Sequence, residues 1–564
     1  MAQTLCQSDG TAPSAPSVSF NQVMNAISSC AADSVRALLD QEPQLAHTFG
    51  WHRQTALHRA CLSGSIGIVQ ILLERNADPN ARNNFDETPL HYACKRGVPT
   101  VVLLLVEQGA DVTLVDKQGK GVLHHAAEAG SVPVLHLLCS KFPELQLTCQ
   151  DNNLQTPLHV ACKSAQLDAF KYLIRKGRSD LKKADSDGNW ALHIAAQEGY
   201  GHMAWSLLCL LGAQAIHLRN RHGCSPYELA IMCDTQGHKE LITELEWLRR
   251  RPFGSSVTQK ASLLWSFFLV LPMLLYTSAV ILTKMVPSYD GVFFLAAVVP
   301  TIWLLQKSFH RLDHVSRWPN PFYAGVFAAG LAHTIAVYYI VIMPYLLDSV
   351  HLVLLSALLT MVVVSMYIRL ITADPGIVNS SAKDPTSGKP LTIIDICKPA
   401  GKWETFCVHC EIVQPELTKH CKLCDHCMVG MDHHCLFLLN CIAHGNHTLF
   451  VWFILTCMLC MGLFVLGVYV YCVQVYVGHG WGQALQALVT RDGWVFSLLL
   501  MNCAGFPWGV SLLMYQYSVV SNGYKSYFVP EHHGDVLTAY EKWRNVVNFL
   551  FNRKPYIVNP CLRV

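Results

Sequence analysis

One four-residue signature stands at five places with almost constant spacing: Thr55-Ala56-Leu57-His58, Thr88-Pro89-Leu90-His91, Gly121-Val122-Leu123-His124, Thr156-Pro157-Leu158-His159 and Trp190-Ala191-Leu192-His193. Its leucines lie 33, 33, 35 and 34 residues apart. A period of that length is the mark of a helix-pair solenoid, in which each unit buries its apolar face only against its neighbours. A weaker copy follows at Ser225-Pro226-Tyr227-Glu228, and a degenerate one between Gln22 and Phe49 is expected to cap the start. About seven units would bury one continuous core and display a concave binding face. Cys61, Cys94 and Cys162 share a repeat position with Ala127 and Ala196, so they read as small buried residues. The repeated histidines read as hydrogen-bonding groups at helix starts.

The rest of the chain has a different solvent in view. Of 564 residues, 52% are apolar, which is high for a soluble protein, and the long uncharged runs begin near Ala261. Six of them are candidate membrane spans: Ala261 to Leu282, Gly291 to Leu305, Pro321 to Leu347, Leu352 to Ile368, Leu449 to Tyr476 and Val495 to Val520. The second and fourth are short. Arg249, Arg250, Arg251 and Lys260 precede the first, and Lys307, Arg311 and Arg317 separate the second from the third, whereas the opposite side carries only Lys284 and Arg491. That bias puts both termini in the cytosol. On that side Asn379-Ser380-Ser381 and Asn446-His447-Thr448 are chance matches to a glycosylation motif. His333, the ionisable group well inside a span, either lines a cavity or bonds locally. The N-terminus shows no secretory leader, and a net charge of +3 gives no case for nucleic acid as partner.

Between the fourth and fifth runs, seven cysteines crowd into 35 residues: Cys407-x2-Cys410-x9-His420-Cys421-x2-Cys424-x2-Cys427-x4-Asp432-His433-His434-Cys435-x5-Cys441. Knuckles of this spacing in a reducing compartment point to zinc, and two tetrahedral sites need eight N/S ligands. Six cysteines and two histidines supply them and leave one cysteine over. Spacing alone does not say which. Cys435 is the candidate, because a thiol nucleophile needs a base and an orienter, and His433 and Asp432 stand just before it. A thiolate held at a membrane surface suits acyl transfer from a thioester whose chain can enter the helices.

From about Asp374 to His447 the chain resembles the DHHC cysteine-rich domain of protein S-acyltransferases (palmitoyltransferases). With the repeats and six spans, it is similar over nearly its full length to the ankyrin-bearing branch that includes the huntingtin-interacting and yeast Akr enzymes. The resemblance implies an all-α dominated fold: an ankyrin solenoid (19–248), spans one to four (249–372), a small zinc-bound domain (373–447), spans five and six (448–520) and a cytosolic tail (521–564). It implies two structural zinc ions, one held by Cys407, Cys410, His420 and Cys427, the other by Cys421, Cys424, His434 and Cys441. Palmitoyl-CoA would be the donor and Cys435 the nucleophile, with His433 as base and Asp432 as its orienter. Supporting roles fall to Asp374 in Asp374-Pro375-Gly376 and to Asn545 in the C-terminal asparagine motif, and Tyr92 takes the place of an aromatic that helps bind protein substrates. Lipid, acyl-CoA and client proteins are the implied partners, and an internal membrane such as the Golgi the implied site.

Two departures stand out. Leu436-Phe437 follow the nucleophile where the family has Pro-Trp, and Ser521-Asn522-Gly523-Tyr524 stands where Thr-Thr-x-Glu is expected. The competing reading is therefore a membrane-anchored scaffold with a weak or inactive acyltransfer site. A repeat-bearing cation channel fits less well, since Val477 to Trp494 is too short for a re-entrant pore and channels have no use for zinc ligands between spans.

Overall fold

Each repeated signature starts a helix, and its first and last residues explain why. In the computed structural model of the chain, which describes residues 19–175, 178–233, 235–250, 259–285, 320–399, 401–476, 480–522 and 537–551, Thr55 precedes the helix Ala56–Ser63 in extended backbone. Its hydroxyl accepts from the His58 amide, satisfying one of the free N–H groups of the first turn. The His58 ring returns the favour: Nδ1 accepts from the Thr55 amide at 3.2 Å, so Nε2 carries the proton and donates to the Glu87 carbonyl of the following unit at 3.1 Å. His91, His124, His159 and His193 reach Leu114, Gln155, Asn189 and Leu218 in the same way. One side chain thus caps its own helix and ties it to the next repeat, at about 1 kcal/mol per hydrogen bond.

The described residues form two compact units, one of residues 1–257 with 383–413, the other of 258–382 with 414–564. The first contains seven antiparallel helix pairs among its described residues, from Phe20–Ser28 with Ala32–Gln41 to Pro226–Cys233 with Gln236–Arg249. Cys61, Cys94 and Cys162 are fully buried in its core, as expected of small apolar positions. Gly97 ends the helix Pro89–Arg96 at φ +81°, and a Cβ there would lie 3.1 Å from the Ser131 side chain of the next repeat.

Seven short strands are described: β1 (Ile377–Val378), β2 (Phe406–Cys407), β3 (Ile412–Val413), β4 (Thr418–Cys421), β5 (His426–Val429), β6 (His433–Cys435) and β7 (Asn440–Ile442). The β2–β3 hairpin belongs to the first unit, where Phe406 stacks on His136 with ring centres 5.0 Å apart. Glu411, at the hairpin's tip, receives a two-pronged hydrogen bond from the Arg178 guanidinium, which also lies 4.2 Å above the Tyr172 ring.

In the second unit β1, β5 and β4 form an antiparallel sheet and β6 pairs with β7. Among the described residues, four helices are long and apolar enough to cross a membrane: Phe322–Leu346, Val350–Thr372, His447–Val475 and Gly493–Ser521. The first expected span lies on the helix Gln259–Met285, and the second, 291–305, lies outside the described residues. The fourth is longer than its apolar run implied, at 23 residues. His333 bonds locally: Nδ1 donates to the Ala329 carbonyl and Nε2 lies 3.3 Å from the Thr277 hydroxyl. Asn446 is buried, with both ends of its amide spent on Ala443 and Cys441 backbone.

Candidate active site

Strand geometry sorts the four residues of the Asp-His-His-Cys run. Side chains two apart share a face, so His433 and Cys435 of β6 point one way and His434 the other. Pairing with β7 sets His433 opposite Ile442, His434 opposite Cys441 and Cys435 opposite Asn440. One face therefore collects a zinc ligand pair and the other a base with a thiol.

On the ligand face, His434 Nδ1 lies 3.3 Å from Cys424 Sγ, 3.5 Å from Cys441 Sγ and 3.8 Å from Cys421 Sγ, and Cys424 Sγ lies 3.5 Å from Cys441 Sγ. A tetrahedron with Zn–S of about 2.3 Å has S–S edges of about 3.8 Å, so three thiols and one imidazole are gathered at the size zinc needs. Cys407 and Cys410 lie on the β2–β3 hairpin of the first unit, and His420 and Cys427 on β4 and β5 of the second. Asp425 stands 3.5 Å from His420 Nε2, where a carboxylate orients a ligating imidazole. Cys421, Cys424, His434 and Cys441 are thus gathered, and Cys435 is not among them.

On the other face, the Asp432 carboxylate accepts from His433 Nδ1 at 2.8 Å, and Cys435 shares that face of the strand with the ring. Burial pulls the His433 imidazole down, but Asp432 and the neighbouring Cys435 thiol outweigh it and raise the ring to about 9. Cys435 is buried among Val363, Leu370, Leu438, Phe450 and Phe453, the apolar mouth of the helical bundle. Beyond it a cavity of about 290 Å³ runs between four helices, from Phe437 and Trp508 to Tyr338 and Tyr339. Its lining is almost wholly apolar.

Four supports fix this arrangement. Asp374 Oδ1 accepts from the Gly376 and Ile377 amides, at 2.9 and 3.0 Å, and these two donors hold its carboxyl below the usual range. The turn they close presents Gly376 at φ +105° and lets Gly445 approach so closely that a Cβ there would lie 2.6 Å from the Asp374 carbonyl oxygen. Asn545, buried in the helix Ala539–Leu550, donates to the Ser521 carbonyl at 2.9 Å, at the point where the sequence departs from Thr-Thr-x-Glu.

Sequence reasoning missed the other two supports. Asn440 donates to the Leu370 and Ala373 carbonyls, closing the end of Val350–Thr372. Gln516 donates to Asp432 Oδ2 at 3.0 Å and accepts from His447 Nε2 at 2.6 Å. A glutamine inside an apolar span is costly unless partnered, and that was the signal that could have singled it out. Tyr92 lies in the repeats of the first unit; its ring is buried edge-on to His58, and its hydroxyl accepts from Gln54 at 2.8 Å and Asn83 at 3.2 Å.

Two kinds of family model match the chain. Residues 401–533 match the family model for DHHC palmitoyltransferase, and residues 38–93, 77–151 and 142–219 match models for ankyrin repeats. Palmitoyltransferase ZDHHC17 of Danio rerio is 31% identical over 149 residues, which are 26% of this chain and 23% of that protein. Palmitoyltransferase ZDHHC13 of Pongo abelii is 28% identical over 25% of this chain and 23% of its own length. Palmitoyltransferase Hip14 of Drosophila melanogaster is 25% identical over 387 residues, 64% of this chain and 58% of that protein. The matched stretches thus span about a quarter of the first two relatives and more than half of the third.

Proposed function

We propose that this chain, which carries a DHHC palmitoyltransferase domain behind ankyrin repeats, is a protein S-palmitoyltransferase. The observation that carries the reading is the Asp432–His433–Cys435 array, with Asp432 and Cys435 buried and His433 half-buried, set beside an apolar cavity between membrane-length helices. His433 takes the thiol proton, and Cys435 Sγ attacks the thioester carbonyl of palmitoyl-CoA. The C–S bond to CoA breaks, and CoA leaves as the protonated thiol. A client cysteine, deprotonated in its turn by His433, then attacks the acyl-enzyme, and Cys435 recovers its proton. Positioning of this kind removes several kcal/mol of barrier without any further group.

Cys407, Cys410, His420 and Cys427 would hold one zinc ion and Cys421, Cys424, His434 and Cys441 another, and the metal so held would brace the backbone around Cys435. The remaining features follow from the same reading. The four helices around the cavity hold the acyl chain, six spans cross the membrane with both termini facing the cytosol, and the ankyrin face around Tyr92 recruits clients at a Golgi or related membrane. Names of the relatives support the substrate class.

The test feeds the purified protein alkyne-tagged palmitoyl-CoA beside a Cys435→Ser variant. A hydroxylamine-sensitive label on the wild type alone is expected. A folded, zinc-loaded wild type that takes no label sinks the reading and leaves a scaffold.

A further inference from the structure

Asp432 and His433 are the pair that sequence would nominate, yet Asp432 is held by more than its neighbour. Its carboxylate is buried and lies against the helix Gly493–Ser521, where Gln516 donates Nε2–H to Oδ2 at 3.0 Å. The other end of that amide, Oε1, faces His447 Nε2 at 2.6 Å, at the first turn of His447–Val475. Gln516 and His447 are each 1% exposed. Neither is a zinc ligand, and neither is near enough in sequence to Asp432 to be required by its turn.

An amide between these two partners can sit only one way round. A carboxylate accepts and does not donate, so the nitrogen must face Asp432. The oxygen then faces His447, which must supply a proton from Nε2. The ring of His447 is in turn packed edge-on against Phe549 of the C-terminal helix, with centres 4.9 Å apart. That helix is pinned by Asn545 to the end of the helix that carries Gln516. A chain of contacts therefore runs from the docked tail through His447 and Gln516 to the group that orients the base.

We propose that Gln516 is a positioning residue for the nucleophile, kept in register by His447. It fixes Asp432 Oδ2 so that His433 keeps Nδ1–H toward the carboxylate and its other nitrogen toward Cys435. The tail acts on the site through this pair, in a protein whose Thr-Thr-x-Glu motif is replaced by Ser521-Asn522-Gly523-Tyr524. This inference rests on Cys435 being the reactive thiol, as the proposed function has it.

The experiment reads Cys435 directly, without an acyl donor. Full-length protein with its zinc is treated with iodoacetamide at fixed pH, and alkylation at Cys435 is followed by mass spectrometry. Gln516→Leu should slow alkylation about tenfold, the factor expected for one lost hydrogen bond to a charged group. His447→Phe should slow it less, His447→Gln, which can still donate to the amide, should restore most of the rate, and the double variant Gln516→Leu with His447→Phe should be no slower than Gln516→Leu alone. An unchanged rate in folded, zinc-loaded Gln516→Leu overturns the proposal. Should that variant not fold, equal rates for His447→Phe and His447→Gln overturn it instead. Acyl labelling of the same samples is scored separately, so a wild type that alkylates as expected but takes no palmitoyl label would fail the proposed function and leave this inference standing.

Discussion

Arg178 holds Glu411 with both prongs of its guanidinium, and Glu411 sits directly after the knuckle cysteine Cys410. Arg175 approaches the same carboxylate at 3.9 Å, and the pair is largely shielded from water. An ankyrin repeat thereby grips the hairpin that presents Cys407 and Cys410.

Removing one partner should free that hairpin. In Arg178→Ala, a charged, two-pronged interaction is lost at a cost of about 2 kcal/mol, within the usual range for hydrogen bonds to charged groups. Amide hydrogen exchange at residues 403–413 should rise, while exchange in the early repeats stays as in the wild type. Unchanged protection at the hairpin would mean that the Phe406–His136 stack alone is sufficient.

The tail should detach when Asn545 is truncated. Its amide is fully buried and donates to the Ser521 carbonyl, so Asn545→Ala leaves a buried acceptor without that donor, at about 1–3 kcal/mol. Limited proteolysis should cut near the helix Ala539–Leu550 sooner than in the wild type. Equal cleavage rates would show that Phe549 and Thr448, whose hydroxyl donates to the Phe549 carbonyl, hold the tail without it.

Zinc should be present at two ions per chain, and Cys441→Ser should lose one of them. Cys441 pairs with His434 across β6 and β7, so its loss releases the strand that carries Cys435. Elemental analysis beside alkyne-palmitoyl labelling checks both halves of the expectation. Full labelling with one zinc lost would show that this brace is dispensable for the chemistry.

Acid should loosen the repeats. Burial drives His91 down to about 4, helped by the neighbouring His125, and burial likewise lowers His58, His124, His159 and His193. Unfolded histidine binds its proton near pH 6.5, but folded His91 resists until about pH 4. Stability is thus complete above pH 6.5 and falls as pH drops from 6.5 toward 4, by at most about 3 kcal/mol for His91. Hydrogen exchange of the repeats at pH 7.5 and pH 5, corrected for intrinsic rates, reads this; equal protection at both would refute it.

How much of this was legible in the chain depends on how far apart the partners lie. Thr55 and His58 sit three residues apart on one helical turn, so the repeats announce themselves. The crowding of cysteine and histidine is equally readable because knuckles place cysteines at short, fixed intervals, although spacing alone leaves the spare cysteine open; β6 turns a two-residue step into a shared face for His433 and Cys435. That the apolar runs form long helices follows from composition, since a span needs only enough apolar residues, although Val350–Thr372 extends beyond its run at both ends.

Tertiary structure alone decided what stands behind Asp432. Gln516 reaches it from 84 residues away and His447 meets Gln516 across 69, and no period or spacing links such positions. The same holds for Arg178 and Glu411, which are 233 residues apart. Local geometry can be written in a sequence as a pattern, because neighbouring dihedrals fix it. A hydrogen bond between distant helices exists only once packing has brought their faces together, and the sequence carries no more trace of it than a polar side chain in an apolar run.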